Sequence, residues 1–205
     1  MNQKLAFVPS LLDTLSIATK NLVPILITVV LYVVTVWIPY INVGTTIAIC
    51  NLPVELSKGG VINPLSIFDS KYRHQMGEFI LLEAIMIPAY LVAFMFCFFP
   101  VIVLGLSWSQ AVYLLLDKKL NWALCLTESN KMTMGYKFKI FLLYAAVAAA
   151  VWILLWLVTT IFDGGFLCGL FVLVIMVAAI MTRVSLDAVI YRELQKSGDE
   201  VEVAE

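Results

Sequence analysis

The chain has 205 residues, a formal net charge of −1, 62% hydrophobic and 13% charged residues, and a mean hydropathy of +1.00. A soluble domain carries about 45–50% apolar and about 25% charged residues, so the composition excludes an ordinary soluble domain and points to a membrane protein. No clustered basic face of the kind a nucleic-acid-binding domain needs is present in the sequence.

Lys4, Asp13 and Lys20 interrupt the first 21 residues, so no cleavable leader with an apolar centre is expected there. Ser10-Leu11-Leu12-Asp13 resembles a capping box with Asp in place of Glu and predicts a helix starting at Ser10. Val8, Leu11, Leu12 and Leu15 then share one face, the pattern of a helix lying in a membrane surface.

Four stretches lack Lys, Arg, Asp and Glu: 21–54, 84–116, 140–162 and 164–182. A spanning helix needs about 20 residues. The last two stretches each fit one crossing, and Asp163-Gly164-Gly165 between them is a turn signal. The first two are long for one crossing and carry breakers, Pro39 through Gly44 and Phe98-Phe99-Pro100. Each is read as a hairpin whose second arm, about Thr45–Leu56 or Val101–Leu116, is short. Pro88 reads as a kink. The rival reading gives each uncharged stretch a single crossing.

The expected fold is therefore an all-α membrane protein of three transmembrane helical hairpins, about six membrane helices, with amphipathic interfacial helices on the cytoplasmic side. The hairpin units run about 9–58, 63–118 and 119–195 within one integral membrane domain, 1–196. Asn21, Gly77 and Gly135 mark the start of each rise, which makes the unit an architectural repeat. The third interfacial segment carries Asp117, Asn121, Glu128 and Lys131 on a polar stripe that Leu124 interrupts. Residues 197–205, with Asp199, Glu200, Glu202 and Glu205, form an acidic flexible tail. With three hairpins every Lys and Arg falls on one side, which the positive-inside rule places in the cytoplasm together with both termini. Trp37, Tyr40 and Tyr136 suit an interfacial aromatic belt.

Ser129, Gly135, Lys137, Lys139 and Phe141-Leu142-Leu143, with Pro100, Tyr113 and Tyr191-Arg192-Glu193-Leu194, carry a family likeness. The chain resembles a family of uncharacterised bacterial multi-pass membrane proteins related to the membrane domain of glycerophosphodiester phosphodiesterases. The likeness covers roughly Leu65 to Leu194 well and the first hairpin loosely. The family's Gly-Trp pair after the basic ramp is represented only by Trp152, in Ala149-Ala150-Val151-Trp152. The resemblance implies a bacterial inner-membrane helical protein without an established activity, since the phosphodiesterase activity of those relatives belongs to a separate soluble domain.

Ionisable groups in membrane helices are costly and mark functional sites by default. Glu83, Arg183 and Asp187 qualify, and Arg183 and Asp187 at i and i+4 can pair on one helix face. With Gln110 they form a candidate polar intramembrane cluster, a pocket open to the cytoplasm joined by Ser109, Asn51 and Glu55 from the falling helices. The rival reading has Arg183 snorkelling to the headgroups with Asp187 neutralising it. Lys71, Arg73, Lys137 and Lys139 are candidate contacts for anionic lipid.

His74 is the only histidine, so a histidine-based zinc site is not expected, nor any other metal or cofactor. Cys50, Cys97, Cys125 and Cys168 are widely spaced and read as small buried hydrophobes. No catalytic motif is present. The expected function is a non-enzymatic membrane protein that binds lipid, especially anionic headgroups, or partner membrane proteins. The alternative is a small transporter or channel with a polar vestibule on the cytoplasmic side.

Overall fold

The computed structural model describes residues 5–39, 41–96, 98–162 and 165–202, and all regular structure among them is helical. Helices satisfy their own backbone groups, as hydrocarbon demands. The two C-terminal uncharged stretches form the longest, α9 (Lys137–Phe162) and α10 (Phe166–Glu202). They pack side by side, and Phe162 stacks on Phe171 at 4.8 Å near the turn. Gly165 takes φ +89 there, while Asp163 and Gly164 of the expected turn lie outside the described residues. The 37 residues of α10 measure about 55 Å at 1.5 Å per residue, well beyond the about 30 Å of a hydrocarbon core. Its last turns therefore project from any membrane it crosses.

The middle third forms α5 (Met76–Met95), α6 (Phe98–Trp108) and α7 (Ala111–Lys118). Helix α5 runs unbroken through Pro88. Pro100 belongs to the first turn of α6, where its missing N–H has no intrahelical partner to lose. The bend thus falls at Phe96, before the expected breaker; Cys97 lies outside the described residues. A two-residue break at Ser109-Gln110 divides α6 from α7. Helix α8 (Trp122–Thr133) then leads to Gly135, whose φ of +83 turns the chain into α9.

The first third forms α1 (Phe7–Lys20), α2 (Leu22–Thr35) and α3 (Ile41–Ser57). Ser10 does not begin α1: Ala6 is its N-cap, and Ser10 N–H already donates to Ala6 O at 3.0 Å. Pro9, in the first turn, allows this earlier start because a proline N–H is not required there. Val8, Leu12 and Leu15 face outward, while the hydroxyl residues Ser10 and Thr14 are buried. Helix α1 runs beside α10, with Leu5 and Leu11 against Leu186, Ile190 and Leu194, and Arg192 donates to Asp13 at 2.6 Å. At Asn21 the chain bends by 70° into α2. Helices α2 and α3 are tied by Tyr32 and Thr46 hydroxyls at 3.3 Å and by Thr35 and Thr45 at 3.4 Å. Tyr40, assigned to the aromatic belt, lies outside the described residues.

The segment after α3 folds back along this first hairpin. A 3-10 turn (Pro64–Phe68) and α4 (Lys71–His74) pack along α3. Asp69 and Arg73 share a cleft of about 240 Å³ with Ile41, Gly44 and Thr45, at the start of α3. Charged side chains therefore reach the turn end of the hairpin. The second unit also begins slightly earlier than expected, at Gln75, and Gly77 lies inside α5.

Among the described residues four segments are long and apolar enough to cross a membrane: Met76–Met95, Phe99–Lys118, Lys137–Phe162 and Phe166–Gly198. A fifth is added if the bent α1–α2 pair counts as one. The packed core gathers at the charge-bearing end, where Leu114, Leu115, Tyr72, Phe79 and Tyr191 are buried together. Toward the α9–α10 turn, Trp152, Trp156, Ile161, Phe166, Leu173 and Val174 are exposed. In water that surface would be untenable; in hydrocarbon it needs no partner.

Candidate functional site

Asp187 is the centre of the polar chemistry in α10. Its side chain is 8% exposed, and both oxygens are occupied. Tyr144 on α9 donates to Oδ1 at 2.7 Å. Tyr113 on α7 donates to Oδ2 at 2.9 Å, and Arg183 Nε donates to the same oxygen at 3.1 Å. Helix α10 supplies the pair because i and i+4 lie on one face; α7 and α9 each bring one hydroxyl. A buried carboxylate with partners on three helices is satisfied, as a low-dielectric site demands.

Arg183 is oriented by the same residues. Its guanidinium lies 3.9 Å from the centroid of the Tyr144 ring, a cation–π contact. Only Nε is engaged by Asp187; among the described residues no acceptor meets the two terminal nitrogens, and the side chain is 53% exposed. Arg183 also lines a cavity of about 470 Å³, together with Cys50, Tyr90, Leu106, Trp108, Ser109, Val112, Phe141, Tyr113 and Tyr144. The cavity has apolar walls and one cationic fork held in place, the composition of a site for an anion carrying an apolar body.

Gln110 and Glu83, expected in the same cluster, make no hydrogen bond to this pair among the described residues. Gln110 is buried and donates from Nε2 to Ser109 Oγ at 3.0 Å. Its backbone N–H donates to Ser129 Oγ at 3.2 Å, which in turn donates to Ser107 O at 2.8 Å. Ser129 on α8 thereby bridges the break between α6 and α7, since both groups would otherwise lack an intrahelical partner. Glu83 is half-buried on α5, and no hydrogen bond joins it to Arg183, Asp187 or Gln110 among the described residues. Asn51 and Glu55 belong elsewhere too: Asn51 donates to Glu55 at 3.1 Å and to Tyr72 at 3.2 Å.

The four basic residues assigned to lipid differ in their surroundings. Lys137 turns inward and donates to Ser107 Oγ at 2.6 Å and Asn130 Oδ1 at 2.8 Å. Lys139 lies over the Tyr136 ring at 5.8 Å. Lys71 donates to Glu55 at 3.2 Å and approaches Asp69 at 3.8 Å. Arg73 borders the cleft at the start of α3.

Charge alone does not find Tyr113 and Tyr144. Tyr113 lies four residues before Asp117 and Tyr144 five after Lys139, neither of which is the charge it meets, and the available signal is that a tyrosine hydroxyl in such a place needs a partner. Among the described residues no three His, Cys, Asp or Glu side chains gather as metal ligands would. Family models, curated proteins and solved structures contain no match to this chain, and the reading of the site therefore rests on its own geometry.

Proposed function

We propose that the protein is a bacterial inner-membrane protein that binds an anionic amphiphile, a phospholipid in kind, at the Arg183 cavity, and that it catalyses no reaction. The observation that carries this is the Arg183 guanidinium, fixed through Nε by Asp187 and open at both terminal nitrogens beside an apolar cavity. From Phe166 to Arg183 the helix rises about 25 Å, which brings the fork near the headgroups of the charge-bearing side of a membrane about 30 Å thick. A phosphate diester there accepts the fork bidentately while an acyl chain occupies the cavity. Lys71, Arg73 and Lys139 are the basic residues that would meet anionic headgroups, Lys137 being turned onto Ser107 and Asn130, and each lysine or arginine near an anionic surface contributes about 1 kcal/mol.

In the same reading two hairpins span the membrane, α5 with α6–α7 and α9 with α10. The α2–α3 hairpin stays with the charged loop that packs on it. This keeps Lys58, Lys71, Arg73, Lys137 and Arg192 on one side, the cytoplasmic one by the positive-inside rule. Membrane partners other than lipid would meet the exposed apolar faces. The second reading, a small transporter, is favoured by the break in α6–α7 at Ser109-Gln110 beside the cavity, since broken helices line transport sites.

The test is retention of phospholipid by protein purified in mild detergent, counted by native mass spectrometry. Arg183→Gln is expected to retain several-fold less anionic phospholipid than the parent chain and to melt lower, because buried Asp187 loses its ion pair; Tyr113→Phe, which removes a hydrogen bond to the same carboxylate without touching Arg183, is expected to melt lower and keep its lipid. Equal retention sinks the lipid reading.

A further inference from the structure

The Arg183 cavity has a second charged group beside it. Glu83 lies on α5, and Met86 and Tyr90, three and seven residues further along the same face of that helix, line the cavity together with Arg183. The Glu83 charge also reaches Cys50, a lining residue on α3: burial first, and then the Glu83 carboxylate, push that thiol above its usual range.

Glu83 and Arg183 stand at similar depths. The start of α5 and the end of α7 meet, since Trp122 N–H, just beyond α7, donates to Glu78 at 3.1 Å. From that end Glu83 lies about 10 Å along α5, at 1.5 Å per residue. Tyr113 lies about 8 Å along α7 by the same measure. Its partner Asp187 is one helical turn from Arg183.

The two charges do not neutralise each other. Among the described residues no donor bonds Glu83 and no cation, Arg183 included, lies within ion-pairing distance of it. Asp187, the carboxylate at the fork, is already occupied by Arg183, Tyr113 and Tyr144. A ligand with a negative group alone leaves Glu83 uncompensated, which is costly away from water. A ligand carrying both signs compensates both charges.

The wall beside Glu83 is aromatic. Tyr90 and Trp108 both line the cavity, their ring centroids 5.9 Å apart and their planes tilted by 59°. Aromatic faces attract ammonium groups, and a carboxylate next to them adds to that attraction.

We propose that the phospholipid held by Arg183 is zwitterionic: its phosphate lies on the guanidinium fork, and the ammonium of an amino-alcohol headgroup lies between Glu83 and the Tyr90–Trp108 pair. This rests on the Arg183 reading, whose anion is the phosphate diester, and adds the group esterified to it. Ethanolamine and choline headgroups share the chemistry. A primary ammonium has N–H groups to donate to the carboxylate, whereas a quaternary one has none and relies more on the rings.

The full chain, depleted of lipid in mild detergent, is incubated with an equimolar mixture of phosphatidylethanolamine, phosphatidylcholine and phosphatidylglycerol of identical acyl chains, and retained lipid is counted by native mass spectrometry. The parent chain is expected to retain zwitterionic lipid several-fold over phosphatidylglycerol. Preference for phosphatidylethanolamine alone assigns the ammonium mainly to the carboxylate, and retention of phosphatidylcholine at the same level or above assigns it mainly to the aromatic pair. Glu83→Gln is expected to lose the preference, because its amide carries no charge to attract an ammonium. This variant removes no hydrogen bond among the described residues and is expected to melt at or above the parent midpoint, which separates lost selectivity from lost folding. A parent chain without the preference, or a Glu83→Gln chain that keeps it, overturns the inference and leaves the Arg183 reading standing. Arg183→Gln retaining all three lipids as the parent does sinks that reading, and this inference with it.

Discussion

Tyr144 and Asp187, 43 residues apart in sequence, meet through a 2.7 Å hydrogen bond that ties α9 to α10. The bond does two things at once. It satisfies one oxygen of a buried carboxylate, and it sets the ring on which the Arg183 guanidinium rests at 3.9 Å.

Removing the hydroxyl should therefore affect both stability and binding. Tyr144→Phe is expected to lower stability by about 1.5–3 kcal/mol, the range for a hydrogen bond to a charged group, while keeping the ring under Arg183. Asp187→Ala should cost more, because it orphans the Tyr113 hydroxyl as well and leaves Arg183 uncompensated. Thermal melts of the two variants in detergent check the order; an Asp187→Ala protein as stable as Tyr144→Phe contradicts it.

Ser129→Ala tests the bridge across the helix break. It leaves Gln110 N–H without its acceptor and removes the shorter donor to Ser107 O, with Thr133 Oγ1 at 3.5 Å as the remaining contact. A buried group left unpaired costs about 1–3 kcal/mol. Thr127→Ala, on the exposed side of α8 where the hydroxyl bonds only its own helix, should change stability by less than about 0.5 kcal/mol.

Gly135→Ala isolates a conformational term. An added β-carbon at Gly135 meets nothing within 4 Å, so no clash contributes, and the whole cost comes from holding alanine at φ +83. The expected loss is about 1–2 kcal/mol. Gly77→Ala, also in open space and at an ordinary helical φ, should instead be neutral or slightly stabilising, and comparing the two melts makes the distinction.

Placement of the first hairpin is checked with single cysteines in a background lacking the native ones. In intact cells a membrane-impermeant thiol reagent should label Phe166→Cys, beside the α9–α10 turn, and miss Ile38→Cys, Ser66→Cys and Ser197→Cys. Labelling at Ile38→Cys would restore a third spanning hairpin, and labelling at Ser66→Cys would refute the shared side of the basic loops.

A thiol-reactivity experiment bears on the packing of α8. Burial, with the Glu78 charge adding to it, pushes the Cys125 thiol up to about 11. A thiol with a raised pKa is almost wholly protonated at neutral pH, and only the thiolate attacks. Cys125 should resist maleimide in the folded protein and react after denaturation; fast labelling at pH 7 would show that α8 is not seated.

The amino-acid sequence by itself determined the helical class, the long apolar α9 and α10, the turns at Gly135 and Gly165, and the Arg183–Asp187 pair. Each of these follows from local terms: uncharged length, glycine at a left-handed backbone position, and i,i+4 spacing. Tertiary structure decided what depends on contacts between distant segments. Asp69 and Arg73 lie against the start of α3 because the 59–75 segment folds back along it, a placement that hydropathy does not encode. Tyr113 and Tyr144 converge on Asp187 only when α7, α9 and α10 pack. Gln110 is not bonded to Arg183 or Asp187 because at the break in α6–α7 its backbone N–H goes to Ser129 and its side-chain amide to Ser109. Uncharged length limits which segments can lie in hydrocarbon, whereas the pairing of buried polar groups across helices is fixed by packing geometry.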